Sequence, residues 1–239
     1  MKRALCVLAM MSLLVTASLC QSEGKDESKG STERERVKES GQVLKEILDM
    51  PDKGIPGSVL DGSKCVIVLP SVKKVAIGIG GTYGRGVMTC RTGADYKGPW
   101  SAPIMMASSG GNVGFQIGGE ATDFVILVLN DQGARSILKN KVKLGADASI
   151  AAGPVGRTAE ASTNASMQAQ MLSYSRSRGV FGGVSLSGAT LRPDGDANDN
   201  LYGQKTSTAD IMAGKVQPPP EAQQLTSELQ RSQKSASER

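Results

Sequence analysis

None of the 239 residues is histidine. The usual general base near neutral pH and the commonest metal ligand are therefore absent. Ser-His-Asp and Cys-His designs and His-containing zinc sites are excluded with it. Glu120 and Asp123 are a close acid pair, but a catalytic dyad needs two carboxylates converging in a cleft, and nearness in sequence supplies none. The other stretch that suggests chemistry is KVAIGIGGTYGRG, Lys74 to Gly86, where five of the nine residues from Gly78 onward are glycine. A P-loop would end in Gly-Lys-Ser/Thr, and no such ending occurs. A dinucleotide loop needs glycines at offsets zero, two and five before a helix; counted from Gly78, offset five is Tyr83. The stretch does not cradle a phosphate, and no catalytic residue, metal ligand or cofactor is assigned.

The same glycines fit a sheet. Val75, Ile77 and Ile79 alternate with Ala76, Gly78 and Gly80, one face branched and the other nearly bare. Alternation resumes in RGVMTCR, so the segment reads as a hairpin turning at Gly81 to Gly84. The bare face lets the sheet bend sharply or another element pack closely. Before it, KCVIVLP is a short buried strand ended by Pro70. After it come a turn carrying Trp100, a Met-rich segment, a strand over Val113–Ile117 and an apolar strand over Phe124–Leu129. Trp100 reads as a packing plug or an interfacial anchor. A short helix fits ARSILKNKVKLG, two or three strands fit the stretch around Tyr174 to Leu191, and a turn and short helix fit DANDNLYGQKTSTADIMAG.

At the other end, MKRALCVLAMMSLLVTASLC has the layout of an export signal: basic Lys2 and Arg3, an apolar run from Ala4 to Val15, then small residues. Residues 1–20 are assigned as a signal peptide. Cys20 is a candidate lipid anchor, although Leu19 fits the acylation pattern poorly and ordinary cleavage is the other reading. Residues 21–33 read as a flexible linker. Val37, Val43, Leu44, Ile47, Leu48 and Met50 then make the apolar stripe of an amphipathic helix ended by Pro51. That stripe packs on its own domain or faces a membrane. Residues 34–216 form one domain, and 217–239 read as a mobile polar tail with only Leu225 and Leu229 apolar after Pro220. Cys65 and Cys90 sit on predicted strands either side of the glycine stretch, as a disulfide or as two buried thiols.

Charge is mild. Lys and Arg number 28 against 23 acids, a net +5, and removing Lys2 and Arg3 leaves +3. This permits an anionic partner without demanding one. Export, modest charge and 3% aromatics disfavour nucleic acid. The expected fold is α+β: a strongly bent, mainly antiparallel, glycine-rich sheet, barrel-like, with the N-terminal amphipathic helix and a few short helices.

Taken in order, IPGSVLDGSKCVIVLPSVKK, GGTYGRGVMTCR, GPWSAPIMM, GGNVGFQIGGEATDFVILVLN, KLGADASIAAGPVGR, SYSRSRGVFGGVSLSGATL and NLYG resemble the successive motifs of the SYLF lipid-binding domain family, here in the form of an exported bacterial member. The resemblance spans about Val37 to Gly214. It implies a non-enzymatic domain that binds membrane lipids and whose N-terminal helix is involved in membrane contact; the actin role of eukaryotic members is not carried over. The expectation is a protein of the cell envelope, periplasmic or membrane-associated, whose partner is an anionic phospholipid membrane. The alternative is an envelope scaffold or stress protein with a protein partner. Headgroups need Lys, Arg or backbone donors. The candidates are Arg34, Arg36, Lys38 and Lys45 on the helix, Lys73 and Lys74 beside the first strand, and Arg157, Arg176 and Arg178 on later loops. Val37, Leu44, Ile47 and Leu48 are the candidate membrane-contact side chains. The basic cluster Lys139 to Lys143 reads as solvated surface charge.

Overall fold

Alternation and apolar runs build a nine-stranded sheet whose middle strand is buried on both faces. The computed structural model describes residues 30–50, 54–77, 79–113, 118–139, 141–155, 168–177, 180–183 and 186–237. The signal segment, Cys20, Arg157 and Arg178 lie outside these residues. Helix α1 covers residues 30–48, and α2 is Gly57–Gly62. Strands β1 (Cys65–Ile77), β2 (Ile79–Cys90), β3 (Ile104–Val113) and β4 (Gly118–Val128) follow. Helix α3 is Asp131–Lys139, then β5 (Val142–Lys143), β6 (Ile150–Ala152), β7 (Met171–Ser177), β8 (Val180–Gly183) and β9 (Thr190–Pro193). The chain closes with α4 (Gly195–Tyr202), α5 (Thr208–Met212), a 3-10 turn at Pro220–Ala222 and α6 (Gln223–Ser237).

The order across the sheet is β5-β9-β3-β2-β1-β4-β7-β6, with β8 also on β7. Every pair is antiparallel except β6 with β7. The sheet curls strongly, so the expected α+β class with a bent, mainly antiparallel sheet is what the chain adopts. In β1, Val66 and Val68 enter one core with Val37, Leu44, Ile47, Leu60, Leu225 and Leu229. Its Ile67 and Leu69 enter a second core with Met88, Met106, Ile126 and Ile137. A strand covered on both faces reads as a continuous apolar run, which is why CVIVL carries no alternation.

Four expectations change. The strand does not stop at Pro70; β1 runs on to Ile77, because Pro70 falls where the register shifts against both neighbours and no ladder donor is required. Ser71, at φ 48°, carries the irregularity. The hairpin closes at the Ile77 to Ile79 pair instead of at Gly81 to Gly84, since the alternation runs through those glycines. Gly86 answers to the bulge: a Cβ there would stand 2.0 Å from the Val68 carbonyl oxygen. Finally, residues 217–239 are not a mobile tail through the part described. Leu225 and Leu229 are 2% and 0% exposed, and α6 lies along α1. Two leucines suffice because α1 offers Gly41, whose missing Cβ would come within 2.9 Å of the Leu225 amide nitrogen. Helix α1 also begins earlier than the linker assignment, at residue 30, with Glu33 buried.

Candidate functional site

The cations of α1 turn to acids. Arg34 reaches Glu221 at 3.4 Å and Lys38 reaches Glu35 at 3.8 Å, while Arg36 pairs with Glu33 and Lys45 with Asp49. Over residues 30–49 the four cations face five acids, Glu33, Glu35, Glu39, Glu46 and Asp49. The apolar stripe is equally committed: Val37, Leu44 and Ile47 are wholly buried in the domain, and Leu48 packs against the same core. Of the two readings of the helix, packing on its own domain is the arrangement present. Arg176 is an internal tie, donating to Asp123 at 2.7 Å from β7 to β4 and to Glu46 on α1. The Asp123 carboxylate also accepts the Ser71 amide at 2.9 Å, so this acid holds the β1 bulge and is no half of a dyad. Trp100 is a packing plug, 9% exposed in the core, with the Arg91 guanidinium 4.5 Å from its ring centre. Cys65 and Cys90 face each other across β1 and β2, fully buried, and their sulfurs are bonded.

Exposed cations gather elsewhere, on one register row. Lys143 on β5 lies opposite Thr190 on β9, and Thr190 opposite Ser109 on β3. Ser109 lies opposite Tyr83 on β2, and Tyr83 opposite Lys73 on β1. Lys73 in turn lies opposite Ala121 on β4. Residues directly opposite one another share a face of a sheet, so five strands carry Lys143, Thr190, Ser109, Tyr83 and Lys73 along one line. Lys74, also a candidate, takes the next row, opposite Thr82 and Glu120. Lys73 and Lys143 are exposed and make no ion pair among the described residues.

The β5 end of the row opens into a groove of about 540 Å³ lined by Ser109, Gly110, Lys141, Lys143, Asp147, Gly188 and Thr190. Two tight turns shape it. Asp147 accepts the Lys143 amide at 2.7 Å, and the Gly188 amide donates to the Leu144 carbonyl at 2.8 Å. Gly188 sits at φ 92°, a conformation that suits glycine. The Asp147 carboxylate is thus turned to the backbone, and two ammonium groups share an open groove with two hydroxyls. That set suits a phosphate or another multivalent anion. In sequence the Lys139 to Lys143 cluster reads as solvated charge. Only the two-residue pairing of β5 with β9 shows that Lys143 meets Thr190 and Ser109. Among the described residues no helix is long and apolar enough to cross a membrane.

A family model described as "Ysc84: Las17-binding protein actin regulator" matches residues 109–232, just over half of the chain. The chain is 36% identical over 203 residues to the SH3 domain-containing protein PJ696.02 of Schizosaccharomyces pombe, covering 82% of this chain and 46% of that protein. It is 35% identical over 177 residues to Protein YSC84 of Saccharomyces cerevisiae, covering 73% and 37% of the two chains. To the human SH3 domain-containing YSC84-like protein 1 it is 31% identical over 198 residues, covering 80% and 57%. The chain thus spans about half or less of the first two relatives and little more of the third. The family model is described by binding and actin regulation, and none of the three relatives carries the name of an enzyme. With a family model matched over residues 109–232, and relatives above 30% identity that cover more than two thirds of this chain, the chain belongs to the Ysc84 family, the SYLF-domain family that its motifs resemble.

Proposed function

We propose that this domain is a non-enzymatic module that binds the phosphate-bearing headgroups of anionic membrane lipids. The observation that carries it is the line of exposed Lys73 and Lys143 leading into the Lys141–Lys143 groove. The helix cations Arg34, Arg36, Lys38 and Lys45 act as accessories at longer range, because each already has an acid beside it. The proposal includes export to the envelope by residues 1–20, with Cys20 as a second attachment if it is acylated. The bonded Cys65 and Cys90 support an oxidising compartment.

A second reading is a protein partner, favoured by the description of the family as Las17-binding. One experiment separates them: co-sedimentation with phosphatidylcholine vesicles, with and without phosphatidylglycerol, for the parent and for Lys141→Glu/Lys143→Glu. A cation at an anionic surface contributes about 1 kcal/mol, so the double reversal should weaken binding at least about tenfold, and added salt should do likewise. Unchanged binding by a folded double variant removes the groove from the site. No binding to either vesicle hands the function to a protein partner.

A further inference from the structure

The row of Lys143, Thr190, Ser109, Tyr83 and Lys73 is cationic at both ends and crosses the β1–β4 ribbon without an acid. Neighbouring strands stand about 4.8 Å apart, so four spacings put Lys73 about 19 Å from Lys143 along the sheet. Strand side chains stand roughly perpendicular to their sheet, and the two ammonium groups are therefore held apart. Near the β5 end Arg192 joins Lys141 and Lys143. It lies opposite Ala107, on the next row of the same face, is exposed, and makes no ion pair among the described residues. At the β1 end the neighbour is an aromatic. Tyr83 lies directly opposite Lys73 and is 51% exposed, the large apolar side chain most open to solvent among the described residues. The Arg85 guanidinium backs its ring, 5.9 Å from the centre, and is itself tied to Asp194 at 3.6 Å and to Glu33 at 3.9 Å. A tyrosine held open beside a lysine, with an apolar body and a polar tip, suits the boundary between water and lipid.

We infer that this face lies flat on an anionic bilayer and takes two phosphate-bearing headgroups at once, one at the Lys141–Lys143 groove with Arg192 and one at Lys73, with the Tyr83 ring seated at the interface beside the second. The inference rests on the proposed lipid-binding function and adds its valence and the orientation of the bound domain. Because one sheet carries both ends, the second contact is intramolecular, and affinity climbs with about the second power of anionic-lipid density. The apolar stripe of α1 stays inside the domain, so binding requires no unpacking of Val37, Leu44 or Ile47.

The test uses the full chain and phosphatidylcholine vesicles carrying a rising fraction of phosphatidylglycerol. The ratio of bound to free protein, plotted logarithmically against that fraction, should rise with a slope of about two for the parent and about one for Lys73→Glu or Lys141→Glu/Lys143→Glu. Lys97→Glu makes the same charge change as Lys73→Glu at a lysine 75% exposed beyond the other end of β2, and should keep the parent slope. Tyr83→Ala should lower binding several-fold at an unchanged unfolding midpoint. Tyr83→Trp should pellet like the parent, and its added indole should shift to the blue on vesicles, with Trp100, buried in the core, as the internal reference. A parent slope of about one, or an equal loss in Lys97→Glu and Lys73→Glu, overturns the two-headgroup face and leaves lipid binding standing. An indole that stays red on pelleted protein takes this face off the membrane and overturns the inference likewise. If no form pellets, lipid binding and the inference fall together. An indole already blue without vesicles that reddens on dilution puts a second copy of the chain on this face, and the inference is overturned.

Discussion

Arg176 shows how a cation that looks free in sequence becomes structural. It ties β7 to Asp123 on β4 and to Glu46 on α1, and its side chain is only 19% exposed. Arg176→Ala would leave Asp123, 16% exposed, with the Ser71 amide as its remaining donor. The loss should be about 1–3 kcal/mol, read as a lower thermal midpoint, while vesicle binding stays as in the parent. The pH dependence follows from Glu46, whose carboxyl is held below its ordinary range first by the hydrogen bond from Arg176. A depressed folded pKa contributes stability that is present above the unfolded value, about 4.3, and is lost as pH falls through the folded one. Between about pH 5 and 3 the parent midpoint should therefore fall more steeply than that of Arg176→Ala. Glu33 acts in the opposite sense in both proteins: burial pushes its carboxyl up, so acidification relieves a cost. It cancels in the difference. Sequence could not separate Arg176 from Lys73, because each is one of a close pair of cations on predicted strands or loops and only the register decides which one meets an acid.

Helices α1 and α6 carry the same lesson in different degrees. The α1 stripe of Val37, Val43, Leu44 and Ile47 was legible from its spacing, since four turns of period 3.6 have few other readings. Helix α6 was not, because Leu225 and Leu229 alone make no stripe. Its docking depends on Gly41, a partner more than 180 residues away, together with the Arg34–Glu221 and Arg231–Asp49 pairs, the latter at 2.6 Å. Gly41→Ala is the informative change. Helix propensity alone predicts a gain of about 1 kcal/mol. A Cβ 2.9 Å from the Leu225 nitrogen and 3.2 Å from the Gln224 Cβ predicts a loss of about 1–3 kcal/mol as α6 is forced away. The loss should win, because one contact is main chain and cannot rotate aside. A lower urea midpoint would show it, and Gly41→Val should lower it further.

The fold class was readable because alternating glycine-rich strands without long connections favour an antiparallel, bent sheet. The strand order was not, because β9 arrives from far along the chain to pair with β3, and β5 pairs with β9 in turn. The lysine row exists only through those two insertions, which is why its parts appeared in sequence as separate surface charges. One further consequence lies in the β1 bulge. Register with β2 is continuous from Cys65 to Val68 and again from Lys73 to Ile77, but not across the gap. The first block lies between two cores with Cys65 bonded to Cys90, whereas the second runs past the last strands that flank the ribbon. Amide hydrogen exchange should therefore fall into two classes within one strand. The amides of Val66, Ile67 and Val68 should exchange only with global unfolding, and those of Val75, Ala76 and Ile77 by local opening, orders of magnitude faster. A single strand then reports both how long the domain stays folded and how often its far half opens.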